Sequence, residues 1–282
     1  MNVGLNISTP GHSTQAVHVR AEQRGEGARI VYVTIDNQRK LNTLNSPLMD
    51  EFAAAIAALA GDESLRAIVV TGAGDRAFIG GADIGEMSQL DSGTAEAFIT
   101  RLHRCCEVLR ELPVPVIARI QGYALGGGLE LAASCDIRIA SENTVFGMPE
   151  VKLGIPSVIE AALLPTLVGW SRAREILLLG ENFSAADAEK WGLVQKVVPL
   201  ADLDAAVERC VSSILQAGPR AIRLQKKLIQ AWEDLPLREA IRAGIDSFVE
   251  AWKTEEPRGR MREFQSRRAE NAVRRNRPVT GA

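Results

Sequence analysis

Val116-Ile-Ala-Arg-Ile-Gln-Gly-Tyr-Ala-Leu-Gly-Gly-Gly-Leu-Glu-Leu-Ala-Ala-Ser-Cys-Asp-Ile-Arg-Ile-Ala140 decides how the rest of the chain is read. Val116 to Ile120 is a short, nearly continuous apolar run, the pattern of a strand covered on both faces. Gly122 to Gly128 is glycine-rich and opens a short helix, Leu129 to Ser134. Ile137-Arg-Ile-Ala140 reads as the next strand. Working outward, Ala67-Ile-Val-Val-Thr71 is another buried strand and Ala28 to Ile35 is β-branched and extended. Ser46 followed by Pro47 reads as an N-cap with proline at the first helical position, and that helix runs to Leu59 before Gly61. Thr94 to Glu111 is a helix closed by Pro113 and Pro115. Strand–helix–strand alternation of this kind predicts an α/β fold on a largely parallel sheet.

After Pro156 the pattern turns helical, over 157–168, 171–179, 184–190 and 201–230, with one strand at Val194 to Val198 and helix and tail from 232 onward. Met1 to about Gln15 is polar and loose. The expected organisation is a flexible leader at 1–20, a core domain at 21–200 and a helical C-terminal region at 201–282.

Composition narrows the function classes. In 282 residues, 33 Lys and Arg against 35 Asp and Glu leave a net charge of −2, so no global positive field can hold a nucleic-acid backbone. The basic residues do crowd at one place: Arg258, Arg260, Arg262, Arg267, Arg268, Arg274, Arg275 and Arg277. They read as a solvated basic helix and tail, with a local phosphate-binding patch as the sharper alternative. Cys105, Cys106, Cys135 and Cys210 show no CxxC spacing, which argues for buried free thiols in a reducing compartment and against zinc. His12, His18 and His103 stand near no acidic or Cys pattern, so catalysis or metal binding by His is discounted. No signal peptide and no apolar run of membrane-spanning length is visible. The expectation is a soluble, cytoplasmic protein.

Three glycine-rich segments could approach a ligand. Gly72-Ala-Gly-Asp-Arg-Ala77, with Asp91 further on, has the outline of a dinucleotide fingerprint. That motif needs a helix to start inside it, and Gly80 and Gly81 make a poor first turn, so a turn after a strand is the better reading. Gly80-Gly-Ala-Asp-Ile84 permits close approach of a ligand to the main chain. Gly126 to Gly128 at a helix start leave N–H groups aimed outward, suited to a negative oxygen. Glu130 lies in the first turn of that helix. Glu150 follows a strand and Phe146-Gly-Met-Pro149. Two carboxyls flanking a helix, a strand and a turn can converge, one protonated and one ionised, and that is acid–base machinery without His.

At these residues the sequence resembles the crotonase, or enoyl-CoA hydratase/isomerase, superfamily. The matching segments are Asn37 to Asn45, Ala77 to Met87, Gln121 to Leu131 with Cys135-Asp136, Phe146 to Glu150, Ala185 to Val198 and Thr254 to Arg268. The similarity runs from about residue 28 to 270. It implies a crotonase-like spiral of ββα units with a helical C-terminal region, assembled as a homotrimer or a hexamer (dimer of trimers). It implies an oxyanion hole from the N–H groups of Ala82 and Gly127, and Glu130 and Glu150 as the catalytic pair. Lys40, Leu41, Asp83 and Ile84 would bind the CoA portion of an acyl-CoA substrate. The implied reaction is syn addition of water to a 2-trans-enoyl-CoA, giving 3-hydroxyacyl-CoA in fatty-acid metabolism. No metal and no cofactor beyond that CoA is implied, nor any nucleic-acid or membrane partner. Double-bond isomerisation is the alternative, followed by other CoA-thioester chemistries and by a non-enzymatic CoA- or RNA-binding relative.

One stretch departs from the resemblance. The family commonly has a Gly-rich turn after the second glutamate, where this chain has Pro156-Ser-Val-Ile-Glu-Ala-Ala-Leu-Leu-Pro165. Ser157 and Glu160 have capping-box spacing, so Glu160 is expected to cap the helix starting near Ser157. A third carboxylate facing the acyl pocket is the alternative.

Overall fold

Ala67 to Val70 are fully buried at four successive positions, so both faces of their strand are covered, as the unbroken apolar run implies. A computed structural model describes residues 16–25 and 27–275, with side chains through 268. Its first strands are β1 (Ala16–Gln23) and β2 (Arg29–Asp36), followed by helix α1 (Ser46–Ala57) and strand β3 (Leu65–Gly72). Then come β4 (Ala77–Ile79), α2 (Ile84–Met87) and α3 (Ala95–Glu111). The next turn repeats the order with β5 (Val116–Ile120), β6 (Tyr123–Leu125) and α4 (Gly127–Ala133). Strands β7 (Ile137–Ser141) and β8 (Val145–Gly147) begin a third turn, which leads to α5 (Leu164–Leu179). The rest of this unit is β9 (Asn182–Ser184), α6 (Ala185–Lys190), β10 (Lys196–Val198) and α7 (Leu203–Gln216).

Each turn thus places one strand in a large sheet, the next in a small sheet, and then a helix. The large sheet has the order β1-β2-β3-β5-β7-β10 and the small one β4-β6-β8-β9. Pairing is parallel except for β1 with β2 and β8 with β9. This is the mixed α/β spiral of ββα units expected above. The core between sheets and helices is built from Phe52, Ile68, Phe78, Leu129 and Phe146, all fully buried. The chain divides into two compact units, one through Ile214 and one from Leu215. The second unit consists of α8 (Pro219–Asp234), α9 (Leu237–Ala251) and α10 (Glu256–Arg275).

Several expectations are corrected. Residues 16–20, assigned above to the leader, are strand: Val17 and Val19 alternate with His18 and Arg20 and pair with β2. The remainder of the leader, with His12, lies outside the described residues. Asn45, not Ser46, caps α1, accepting from Leu48 N–H at 3.1 Å, and Pro47 sits one position deeper. The single helix expected over 201–230 is two, divided at Gly218-Pro219, where Pro219 starts α8. No helix starts at Ser157; a 3-10 turn over Ile159–Leu163 leads into α5, which bends at Gly169. The possible dinucleotide fingerprint runs into β4 rather than a helix, so the helix N-terminus such a site requires is not there.

In α10, Arg258 and Arg260 pair with Glu255 and Glu263, the arrangement of a solvated charged helix. Side chains of Arg274 and Arg275, and all of Arg277, lie outside the described residues. Among the described residues no helix is long and apolar enough to cross a membrane.

Candidate active site

A cavity of about 580 Å³ opens between α2 and α3 on one side and the 149–158 segment on the other. Phe98, Ile99, Leu102, Leu125, Ile155 and Val158 make much of its wall apolar. Glu130 and Glu150 both line it, so the two carboxylates singled out in the sequence share one space.

The backbone explains how they meet. Helix α4 starts directly after β6, and Gly128 presses on β4 so closely that any Cβ would collide with the Ile79 carbonyl. Glu130 is the fourth residue of α4 and is only 4% exposed. Its Oε1 accepts the Ala161 N–H at 3.1 Å. Burial pushes its carboxyl up to about 8, Glu150 and Glu160 add to the rise, and the Ala161 N–H opposes it. Glu150 sits on a short 3-10 helix, Pro149–Leu153, at the end of β8. The Ser157 hydroxyl donates to its Oε2 at 2.9 Å. Burial raises Glu150 as well, against its own backbone N–H and Ser157. Gly126, at φ 51°, lets the chain pass under Glu150, since a Cβ there would strike Oε1. Two carboxyls that both favour the proton and interact are best treated as a pair holding a shared number of protons.

Ala82 and Gly127 line the same cavity as this pair. Around Ala82 the strand-like bonds are made by its neighbours: Leu44 N–H donates to Gly81 O at 2.9 Å, and Asp83 N–H to Leu44 O at 2.8 Å. The Ala82 N–H is left facing the other way. Gly127 is the first residue of α4, where an N–H has no acceptor within the helix. Of the four residues expected to bind the CoA portion, Ile84 lines the cavity and is 60% exposed. Lys40 Nζ is 2.7 Å from Asp83 Oδ2. That lysine bond, above all, holds the Asp83 carboxyl below its usual range. Asp83 also caps α2, accepting from Glu86 N–H at 3.1 Å. Leu41 O accepts the Gly80 N–H at 2.8 Å and so fixes the segment before Ala82. Among the described residues no group of three or more His, Cys, Asp and Glu could hold a metal ion.

The enoyl-CoA hydratase/isomerase family model matches residues 25–271. The chain belongs to that family. It is 35% identical to the short-chain-enoyl-CoA hydratase of Clostridium acetobutylicum over 85% of this chain and 92% of the relative. It is 33% identical to the crotonyl-CoA hydratase of Syntrophomonas wolfei over 87% and 95%. The solved enoyl-CoA hydratase of Bacillus anthracis superposes with a TM-score of 0.83 at 29% identity, covering 88% of this chain and 96% of that one.

Within this family frame, four features of the site went unread in the sequence. Ser157 and the Ala161 N–H hold the two glutamates. Asn42 bridges the loop bearing Lys40 to the Gly72–Ala77 turn, donating to Ala73 O at 3.0 Å and Ala77 O at 2.8 Å. Gln121, fully buried, donates to Gly72 O at 2.7 Å. The fourth feature overturns the capping box expected for Glu160. The Ser157 hydroxyl is spent on Glu150, and the turn at Ile159 has no side-chain cap. Glu160 is buried instead and pairs with His103, whose Nδ1 lies 2.8 Å from Oε1. This contact gives His103 a role that the absence of an acidic or Cys pattern around it does not suggest. Its partner is 57 residues away, which no local pattern reveals.

Proposed function

We propose that this chain is an enoyl-CoA hydratase, adding water syn across the double bond of a 2-trans-enoyl-CoA to give a 3-hydroxyacyl-CoA. The observation that carries this reading is a pair of proton-favouring carboxyls, buried Glu130 and half-buried Glu150, in one largely apolar cavity. Hydration needs one group to take a proton from water as its oxygen bonds to C3, and another to give a proton to C2. Glu130 is the base for water and Glu150 the donor to C2. The competent pair therefore carries one proton, on Glu150 when water adds and on Glu130 in the reverse reaction; because burial favours the proton on Glu130, the hydrating form is the less populated of the two singly protonated forms, and the limbs of the pH profile report the pair as a whole.

Between the two proton transfers the thioester oxygen gains enolate character. The Ala82 and Gly127 N–H groups form the oxyanion hole for it, supported by the bond pattern that leaves both pointing away from their own secondary structure. Lys40, Leu41, Asp83 and Ile84 bind the CoA portion. The ordered Lys40–Asp83 pair and exposed Ile84 at the mouth support that assignment. The chemistry as written draws on no cofactor other than the substrate's own CoA.

Helix α9 exposes Leu237, Ile241, Ile245 and Phe248 along one side. A continuous apolar face of this kind supports self-association, as a homotrimer or a dimer of trimers. The free cysteines support a reducing, cytoplasmic setting.

The test is a panel of CoA thioesters from crotonyl to long-chain, followed at the enoyl thioester absorbance, with 3-enoyl-CoA substrates included. Loss of that absorbance with water incorporation supports hydration. Isomerisation of 3-enoyl substrates without hydration of 2-enoyl ones would replace it with the isomerase reading.

A further inference from the structure

Next to Glu130, but outside the cavity lining, the fold assembles a second set of polar groups that the proposed reaction does not use. Helix α3 contributes His103 and Cys106, the 159–163 turn contributes Glu160, and the residue that ends α4, Ser134, bonds Cys106. Glu160 is 7% exposed and does not line the cavity. Its Oε1 is bonded to His103 at 2.8 Å, and its Oε2 is buried with no hydrogen-bond partner among the described residues. The next residue along the chain, Ala161, donates its N–H to Glu130 Oε1 at 3.1 Å. The turn that delivers this N–H is thus anchored at Glu160 by a side chain of α3.

We propose that Glu160, anchored by His103, is a positioning residue that acts through Glu130: it fixes the Ala161 N–H on the Glu130 carboxyl and sets a second carboxylate beside it. The inference rests on the hydratase reading for its kinetic consequence, but not for its physical content.

The geometry separates two effects. The Ala161 N–H stabilises ionised Glu130, because a carboxylate accepts a stronger bond than a carboxylic acid. The Glu160 charge does the reverse, because two like charges in a buried site disfavour ionisation of both. The groups facing Glu130 are Glu150 from the 149–153 turn, Glu160 from the 159–163 turn and Cys106 from α3, whose thiol is held protonated by burial. His103 reaches Glu160 rather than Glu130, and Glu107 lies 3.9 Å from its other ring nitrogen. Holding the turn and supplying the charge are both tasks of one residue, and substitution can divide them.

Glu160→Gln keeps an oxygen to accept from His103 while removing the charge. Its alkaline limb in the pH profile of kcat for crotonyl-CoA hydration is expected to move down, by less than removing the larger influence of Glu150 would move it. KM is expected to stay within about twofold, because Glu160 is outside the cavity. His103→Ala removes the anchor but keeps the charge. It is expected to lower kcat across the pH range without moving the alkaline limb down.

An infrared titration of the Glu130 carboxylic-acid band, assigned by its loss in Glu130→Gln, gives a readout without turnover. In Glu160→Gln that band should be lost at lower pH than in the wild type. A Glu160→Gln protein whose pH profile and infrared titration both superimpose on the wild type overturns the proposal. If Glu160→Gln does not fold, His103→Ala decides: wild-type kcat there overturns it. A wild-type protein that hydrates no enoyl-CoA defeats the hydratase reading instead, and the infrared comparison still judges Glu160.

Discussion

Replacing Glu130 by Gln should improve stability in alkaline solution while damaging catalysis. Gln has nearly the same shape, and its amide oxygen can still accept the Ala161 N–H. What changes is the proton. In the unfolded chain Glu130 titrates near 4.5, whereas in the fold burial and the neighbouring carboxyls raise it to about 8. Between those values the folded protein holds a proton that the unfolded chain has released. Stability contributed by the raised group is complete below pH 4.5 and is lost as pH rises toward 8. At about 1.4 kcal/mol per pH unit, ionised Glu130 costs the fold up to about 5 kcal/mol above pH 8. Glu130→Gln removes that cost. Its melting temperature should match the wild type near pH 4.5 and exceed it increasingly up to pH 8, at about 2–4 °C per kcal/mol for a protein of this size. Hydration should fall by about 10²–10⁴-fold, the usual worth of a general base. Any isomerase side activity should fall less, since Glu150 and the main-chain donors remain. The measurements are thermal melts of both proteins from pH 4.5 to 9 and the two rates on one preparation. Parallel melting curves across that range would refute the buried-proton argument. Equal small losses in both rates would reduce Glu130 to a partner of the helix dipole.

Three further outcomes follow from the same geometry. Gly127→Pro removes one main-chain donor at the first helical position, where the added ring displaces only the flexible end of the Leu102 side chain, so crotonyl-CoA turnover should fall by about 10²–10³ with the circular dichroism spectrum retained; wild-type turnover would exclude that N–H from the reaction. Gly128→Ala drives a Cβ into the Ile79 carbonyl, so loss of soluble folded protein is expected, and an unchanged melting temperature would contradict the close approach of α4 to β4. Ser157→Ala removes the hydroxyl that stabilises ionised Glu150, so Glu150 should hold its proton to higher pH. The acid limb of the pH–rate profile should then rise by up to about one unit, for a bond worth roughly 1 kcal/mol, and a fixed acid limb would mean that Glu150 does not govern it.

What the sequence reveals here follows the range of the interaction that fixes each feature. The apolar runs of β3 and β5 and the glycines opening α4 are local, and their strands and helix stand where the pattern puts them. The split between α7 and α8 is also local: Gly218-Pro219 is a proper helix start, with Pro219 the first residue of α8. Ser157 and Glu160 show the limit. Their spacing is a true capping-box spacing, but a cap competes with every other bond those side chains can make. A buried polar group without a partner is costly, and here Glu150, seven residues before Ser157, and His103, 57 residues before Glu160, supply the partners. Spacing cannot weigh that competition, because one side of it exists only in three dimensions.

The same reasoning explains why the site lies where it does. Strands β4, β6 and β8 are adjacent and parallel in the small sheet. Their C-terminal ends lead, in order, to Gly80–Ala82, to Gly126–Gly127 and to Pro149-Glu150. The three segments that carry the proposed chemistry are therefore successive turns of one spiral, brought side by side by strand pairing. In parallel sheets ligands gather at the carboxyl ends of the strands, where the backbone N–H groups of the following turns point outward. Glycine is needed at two of these three exits because main chain must approach main chain or substrate there. Glutamate is needed at the third, where a side chain must reach across. Substitutions at the opposite ends of these strands, such as Ala77, Tyr123 and Val145, should therefore alter melting temperature before they alter kcat. A substitution there that abolished hydration at an unchanged melting temperature would break the link between spiral geometry and site.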